Sequence, residues 1–273
     1  DGTFWALRNG YFSVPWFTPA FCAGLPKFGH PNGFYVSLTQ WLSLGLSPVL
    51  AVKITVFAFA GAGYVGMYSL LRVGFGLTRP LALGGAIVFL FNTFFLSRMI
   101  VGHLAFHGYM LVPVQVLLLV VAVRQASFWP LALAAAACCI AYQFSSGMVH
   151  LAGPVALAGI SLGAVCFRSE PHLFARYLAF GLAATLLAVM VGAAQMHAAW
   201  AFFAQFKRDL YLLPGFDSLA SELSAVARMV FARPSLEATT AALANRQLPL
   251  ELHELEYGLS PVPAVAILVG LLT

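Results

Sequence analysis

The chain of 273 residues is 61% hydrophobic and only 8% charged, with a mean hydropathy of +0.89, where a soluble domain has about a quarter of its residues charged. That excludes a water-soluble globular domain and marks an integral membrane protein. The net charge of +5 rests on 14 Lys and Arg that are dispersed, as residues flanking membrane helices are, so no nucleic-acid partner is implied.

Long apolar runs recur with frequent Gly inside them, and sustained two-residue alternation is absent, so the expected fold is all-α, a polytopic helical membrane protein. Cysteines stand at positions 22, 138, 139 and 166; no pair has metal-ligand spacing and they read as packing residues. The chain opens at Asp1 without an initiator Met, and its last apolar run is too short to span, so it reads as a segment of a longer protein.

In chain order, residues 1–48 read as a first outer loop with interfacial helices. Residues 1–9 suit a short surface helix, an aromatic-rich loop punctuated by Pro and Gly follows, and 34–46 suit a partial helix. Residues 49–205 read as a bundle of about six spans: 49–71, 81–101, 105–123, 131–145, 148–167 and 177–203. Lys53 snorkels near the start of the first, and Ala62 with Gly66 is a small-residue pair for close helix approach. Residues 206–258 hold every acidic residue except Asp1 and Glu170 and read as a second outer loop. There Asp217 caps an amphipathic helix striped by Leu219, Leu223, Val226 and Val230, and Ser235 caps another running to Asn245. Residues 259–273 read as the start of a further membrane helix.

Short-loop Arg residues concentrate on one side, at Arg72, Arg79, Arg124, Arg168 and Arg176, which by the positive-inside rule is expected to be cytoplasmic. The opposite side then carries Arg8, Lys27 and Arg98, together with His30, His103, His107, His150, His197 and His253, and with Asp1, Glu251, Glu254 and Glu256. Only His172 falls inside. The asymmetry points to an outward-facing polar cavity.

The centre of that argument is the stretch 96–113, where Arg98, His103 and His107 are pressed between two apolar runs. Ionisable groups at a membrane boundary need a partner, a cavity or a task. If the second helix begins near Gly102, His103 and His107 share one face. With His150 and His197 they suit a polar substrate pocket; a metal or phosphate site and plain interfacial histidines are the competing readings. No compact metal signature occurs, so no metal ligands are assigned, while a divalent metal stays open. Arg98 suits a lipid-linked phosphate through its planar fork, or simple snorkelling. Glu254 joins the candidate binding residues, and Asp1 is a carboxylate at the mouth of the outer cavity.

Several stretches carry a resemblance: Asp1 followed by residues 5–10 (WALRNG), 15–19 (PWFTP) and 24–26 (GLP) ahead of Pro31; 92–98 (NTFFLSR) running into Gly102 and His103; 143–147 (QFSSG) with His150; and 253–258 (HELEYG). In these the chain resembles the YfhO-type bacterial membrane proteins of the GT-C glycosyltransferase superfamily. The resemblance implies a GT-C-like fold in the bacterial cytoplasmic membrane, an active site on its outer face, a polyprenyl-phosphate-linked sugar as donor and an envelope or lipid acceptor. It further implies an acidic residue in the first outer loop that activates the acceptor hydroxyl, a position that only Asp1 matches. The alternative is a non-enzymatic membrane protein, a transporter or an envelope assembly factor, although no internal repeat of the transporter kind is found.

Overall fold

The computed structural model describes residues 2–10, 13–14, 16–18, 25–30, 33, 35–100, 102–125, 127–205, 218–220 and 223. Asp1, Glu254, nearly all of the expected outer helices over 206–258 and the expected helix start at 259–273 lie outside the described residues. The chain divides into two compact units, residues 1–87 with 104–206 and residues 88–103 with 207–273.

The first unit opens with α1, Gly2–Asn9, where a short surface helix is expected. The two-residue strands β1, Phe17–Thr18, and β2, Leu25–Pro26, pair antiparallel. Helix α2, Leu38–Leu42, is capped by Ser37, whose hydroxyl accepts from the Gln40 amide. Helix α3, Pro48–Ser69, begins where Ser47 caps the Leu50 amide and Pro48 supplies a pre-set first turn. It continues through one π-helical turn, Leu70–Gly74. Helix α4, Arg79–Leu90, carries the chain from the first unit into the second, where α5 runs over Thr93–Ile100. The expected span over 81–101 is therefore interrupted at Phe91 and Asn92. Back in the first unit, a 3-10 stretch, Leu104–Leu111, leads into α6, Val112–Arg124. Helix α7, Trp129–Gln143, ends in a π-helical turn, Phe144–Met148, that reverses at Gly147 with φ 98°. After a 3-10 turn at Val149–Leu151 come α8, Ala152–Cys166, and α9, Pro171–Gln205.

Five of these helical stretches are long and apolar enough to cross a membrane: Pro48–Gly74, Arg79–Ile100, Leu104–Arg124, Trp129–Met148 and Pro171–Gln205. The sixth expected span, over 148–167, is realised as α8, whose 15 residues rise about 22 Å, short of a hydrocarbon core of about 30 Å. The loop expected over 168–176 is also shorter, because Pro171 opens α9 and takes His172 and Arg176 into its first turns.

Small residues decide how these helices approach. On α3 the close contact is made by Gly63 and Gly66: an added Cβ would lie 2.9 Å from Met110 Cβ and 3.1 Å from the Val114 amide nitrogen respectively. Gly61, by contrast, faces open space. Helix α6 is the hub of this unit, burying Val116, Leu119, Val120 and Val123 against Leu70, Leu133, Ala136, Phe167, Tyr177 and Ala184. The Tyr177 ring lies on Gly163, where no side chain would fit, and its hydroxyl donates to the Gly159 carbonyl at 2.9 Å. At the basic end of the bundle Arg124 donates to the carbonyls of Val73 at 2.6 Å and Gly74 at 3.3 Å. It also lies over the Phe167 ring at 5.4 Å. These contacts satisfy carbonyls left open where the α3 helix ends. Cys166 joins them by donating to the Gly74 carbonyl at 3.0 Å.

Candidate functional site

Within the second unit the local sequence sets a defined geometry around Arg98. The Asn92 side-chain oxygen accepts from the Phe95 amide at 2.8 Å and starts α5 as an N-cap. Eight residues later the helix ends in two bonds: the Gly102 amide reaches the Met99 carbonyl at 3.2 Å and the His103 amide reaches the Arg98 carbonyl at 2.8 Å. This is the paired-bond glycine cap, which requires the left-handed conformation that Gly102 adopts with φ 83°. The cap folds His103 back over the last turn, so that Arg98 Nη1 meets His103 Nδ1 at 3.2 Å. Arg98 has no deprotonated form in proteins, so its N–H donates and Nδ1 accepts, which holds the imidazole neutral while the bond lasts. The guanidinium also lies 5.5 Å from the Phe94 ring centroid, one turn back on the same face. Arg98 is only 7% exposed, whereas His103 is exposed. The result is a preset cationic pair at the end of an apolar helix.

His107 lies in the first unit and does different work. The helix there starts at Leu104 as a 3-10 stretch, with His103 ahead of it, so the α-helical four-residue spacing expected of the two histidines does not apply. His107 is 1% exposed. Its Nδ1 bonds the Leu104 carbonyl, and a carbonyl can only accept, so Nδ1 carries the proton. Nε2 then accepts from the Tyr142 hydroxyl at 2.6 Å, and that oxygen accepts from the Leu38 amide at 3.0 Å. Phe59 stands edge-on to the imidazole at 4.5 Å and stacks on Tyr142 at 5.2 Å. Both ring nitrogens are thus occupied within the protein, in a tie that joins α2, α3, the 3-10 stretch and α7.

A second buried polar group lies beside it. Gln115 Nε2 donates to Gln143 Oε1 at 2.6 Å, and Gln143 Nε2 donates to the Gly108 carbonyl at 2.9 Å. Sequence reasoning singled out Gln143 only as part of a motif and passed over Gln115 and Tyr142. Their signal was available: two amides and a phenol at positions otherwise filled by Ala, Val and Leu in membrane helices.

The remaining candidates are placed as follows. His197 is an exposed residue of α9. His150 falls in the Val149–Leu151 turn, with its side chain outside the described atoms. Near the end of α9 a cavity of about 140 Å³ is lined by His30, Ser145, Gln195, Met196, Trp200 and Phe203 among others. His30 is half-buried and edge-on to Phe202 at 5.2 Å. Burial holds its imidazole below the ordinary value, and the neighbouring Lys27 cation lowers it further. Burial likewise lowers Lys27. Among the described residues no three of His, Cys, Asp or Glu gather as metal ligands would.

A further hollow among the described residues is a cleft of about 470 Å³ whose walls come from α6, α7, α8 and α9. It is nearly all apolar. Left empty as an enclosed cavity it would cost on the order of 10 kcal/mol at about 24 cal/mol per Å³, comparable with the whole stability of a domain.

Comparison with family models, with curated proteins and with solved structures found no match to this chain.

Proposed function

We propose that the chain is a membrane glycosyltransferase that moves a sugar from a polyprenyl-phosphate-linked donor to an envelope or lipid acceptor on the outer face of the membrane. What supports the reading is the Arg98–His103 pair: a guanidinium only 7% exposed, braced by a glycine cap and an aromatic ring, at the end of an apolar helix. A guanidinium fork suits the two free oxygens of a phosphodiester, and in a dehydrated setting the attraction is stronger than in water. In the proposed reaction Asp1 takes the proton of the acceptor hydroxyl, whose oxygen forms the new bond to the anomeric carbon. The bond from that carbon to the phosphate oxygen breaks, and the electron pair leaves on the lipid phosphate. Negative charge grows on the phosphate as it leaves, so a fixed cation stabilises the transition state more than the bound donor.

Arg98→Gln tests the assignment. Removing a charged hydrogen-bond partner worth about 1.5–3 kcal/mol predicts a loss of roughly 10- to 150-fold in kcat/KM for a polyprenyl-phosphate sugar. Gly102→Ala, which strains the cap without touching donor, should weaken the same parameter less. Turnover unchanged in Arg98→Gln would remove the pair from the mechanism. Donor binding without any turnover by the wild type would favour the non-enzymatic alternative, in which the same cation holds a phosphate headgroup.

A further inference from the structure

The cleft of about 470 Å³ has a buried floor and an open rim. Val112, Gln115, Val116 and Leu119 of α6 and Gln143 of α7 lie at its base, well buried except where they meet the hollow. Ile160 of α8 with Leu178 and Leu182 of α9 stand on the rim as exposed large apolar side chains. The mouth is therefore the seam between α8 and α9, which faces the apolar surroundings of the bundle. The Tyr177 bond to Gly159 pins α8 to α9 across this seam.

Polar groups in the walls are engaged with the protein itself. Gln115 and Gln143 bond each other, Tyr177 bonds Gly159, and the Thr185 hydroxyl donates to the Gly181 carbonyl at 2.9 Å. Water has little to hold it there, since a buried water needs two or more polar partners. The hydrocarbon that a mouth opening between α8 and α9 meets in a bilayer is phospholipid acyl chain, and a slender methylene chain is the shape that follows an apolar seam between two helices.

We propose that this cleft is a binding site for a single acyl chain of a bilayer phospholipid, entering sideways between α8 and α9. With its amides and hydroxyls engaged internally, it selects by chain and shape and not by headgroup. Filled, it gives the α6 and α7 floor the contacts that a 15-residue α8 leaves unmade. The site is independent of the sugar-transfer reading and stands or falls separately.

The test reconstitutes the full protein in vesicles of phosphatidylethanolamine and phosphatidylglycerol containing a trace of phosphatidylethanolamine with a diazirine midway along one acyl chain. After photolysis, peptide mapping should find label concentrated several-fold on residues 152–160 and 178–185 relative to the outward-facing Leu186, Met190 and Val191. Two variants fill the hollow: Ala156→Phe, and Gly181→Leu, where an added Cβ meets only Leu119 Cδ1 at 3.8 Å. In whichever of them retains the wild-type melting profile, label on the cleft should fall to the level of the outward face. Even labelling along wild-type α9 overturns the proposal, as does cleft labelling undiminished in a folded variant. Cleft labelling by a diazirine polyprenyl phosphate but not by the acyl probe also overturns it, because the occupant is then an isoprenoid.

Discussion

Tyr142→Phe isolates the buried tie around His107. The substitution removes one oxygen and keeps the ring that stacks on Phe59 at 5.2 Å. His107 Nε2 loses its donor while the imidazole stays 1% exposed, and the Leu38 amide loses its acceptor. An orphaned buried polar group costs about 1–3 kcal/mol. Across a unit of this size that corresponds to a fall in melting temperature of roughly 3–10 °C. The assay is thermal unfolding of purified protein in nanodiscs, followed by a tryptophan signal, for Tyr142→Phe, His107→Phe and the double variant. Since one bond is removed by either change, the double should be less destabilised than the sum of the singles, with a coupling of about 0.5–3 kcal/mol. Strict additivity, or a Tyr142→Phe protein that melts with the wild type, would refute the tie and return His107 to the list of groups available to a ligand.

Gly66→Leu should destabilise by about 1–3 kcal/mol through overpacking, because its Cβ meets the Val114 backbone nitrogen at 3.1 Å and α6 has to shift; Gly61→Ala, pointing into open space, should be neutral or slightly stabilising in parallel melts. His30 makes stability depend on pH with a defined sign. Its folded value lies below the ordinary 6.5 of a histidine, so as pH falls the unfolded chain takes up the proton first. Its contribution is fully present above about pH 6.5 and is lost as pH drops through the lower folded value. Melting curves at pH 5 and pH 7.5 should converge in His30→Gln relative to wild type; an unchanged gap would show that other groups set the slope.

Fold class was legible because composition and run length are direct consequences of lipid as solvent. The start of α3 was legible too, since Ser47 and Pro48 form a cap with known chemistry. Which face of each helix is buried was not. In lipid the outward face is as apolar as the core, and in α7 the buried positions are Ala132, Ala136, Ala137 and Ala141 beside Leu133 and Gln143, while Leu131 is 70% exposed. Hydropathy does not separate the two faces there, and the run of small residues marks the buried one. The interruption at Asn92 was hidden because one polar residue barely alters a window average. Of the candidate site, Arg98 and His103 were legible as polar residues between apolar runs, but their pairing depends on a five-residue return made by Gly102, not on helical spacing. The Gln115–Gln143 and His107–Tyr142 bonds link positions 28 and 35 residues apart, and no local pattern encodes such pairings.

The central claim is sugar transfer, and turnover tests it most directly. Purified full-length protein would be given a panel of polyprenyl-phosphate sugars beside an Asp1→Asn variant of matched melting temperature. Asn keeps the shape of the side chain but cannot accept the acceptor proton. The account predicts turnover by the wild type and a loss on the order of a hundredfold or more in the variant. Equal turnover in the two proteins, or none by the wild type across the panel, would contradict it.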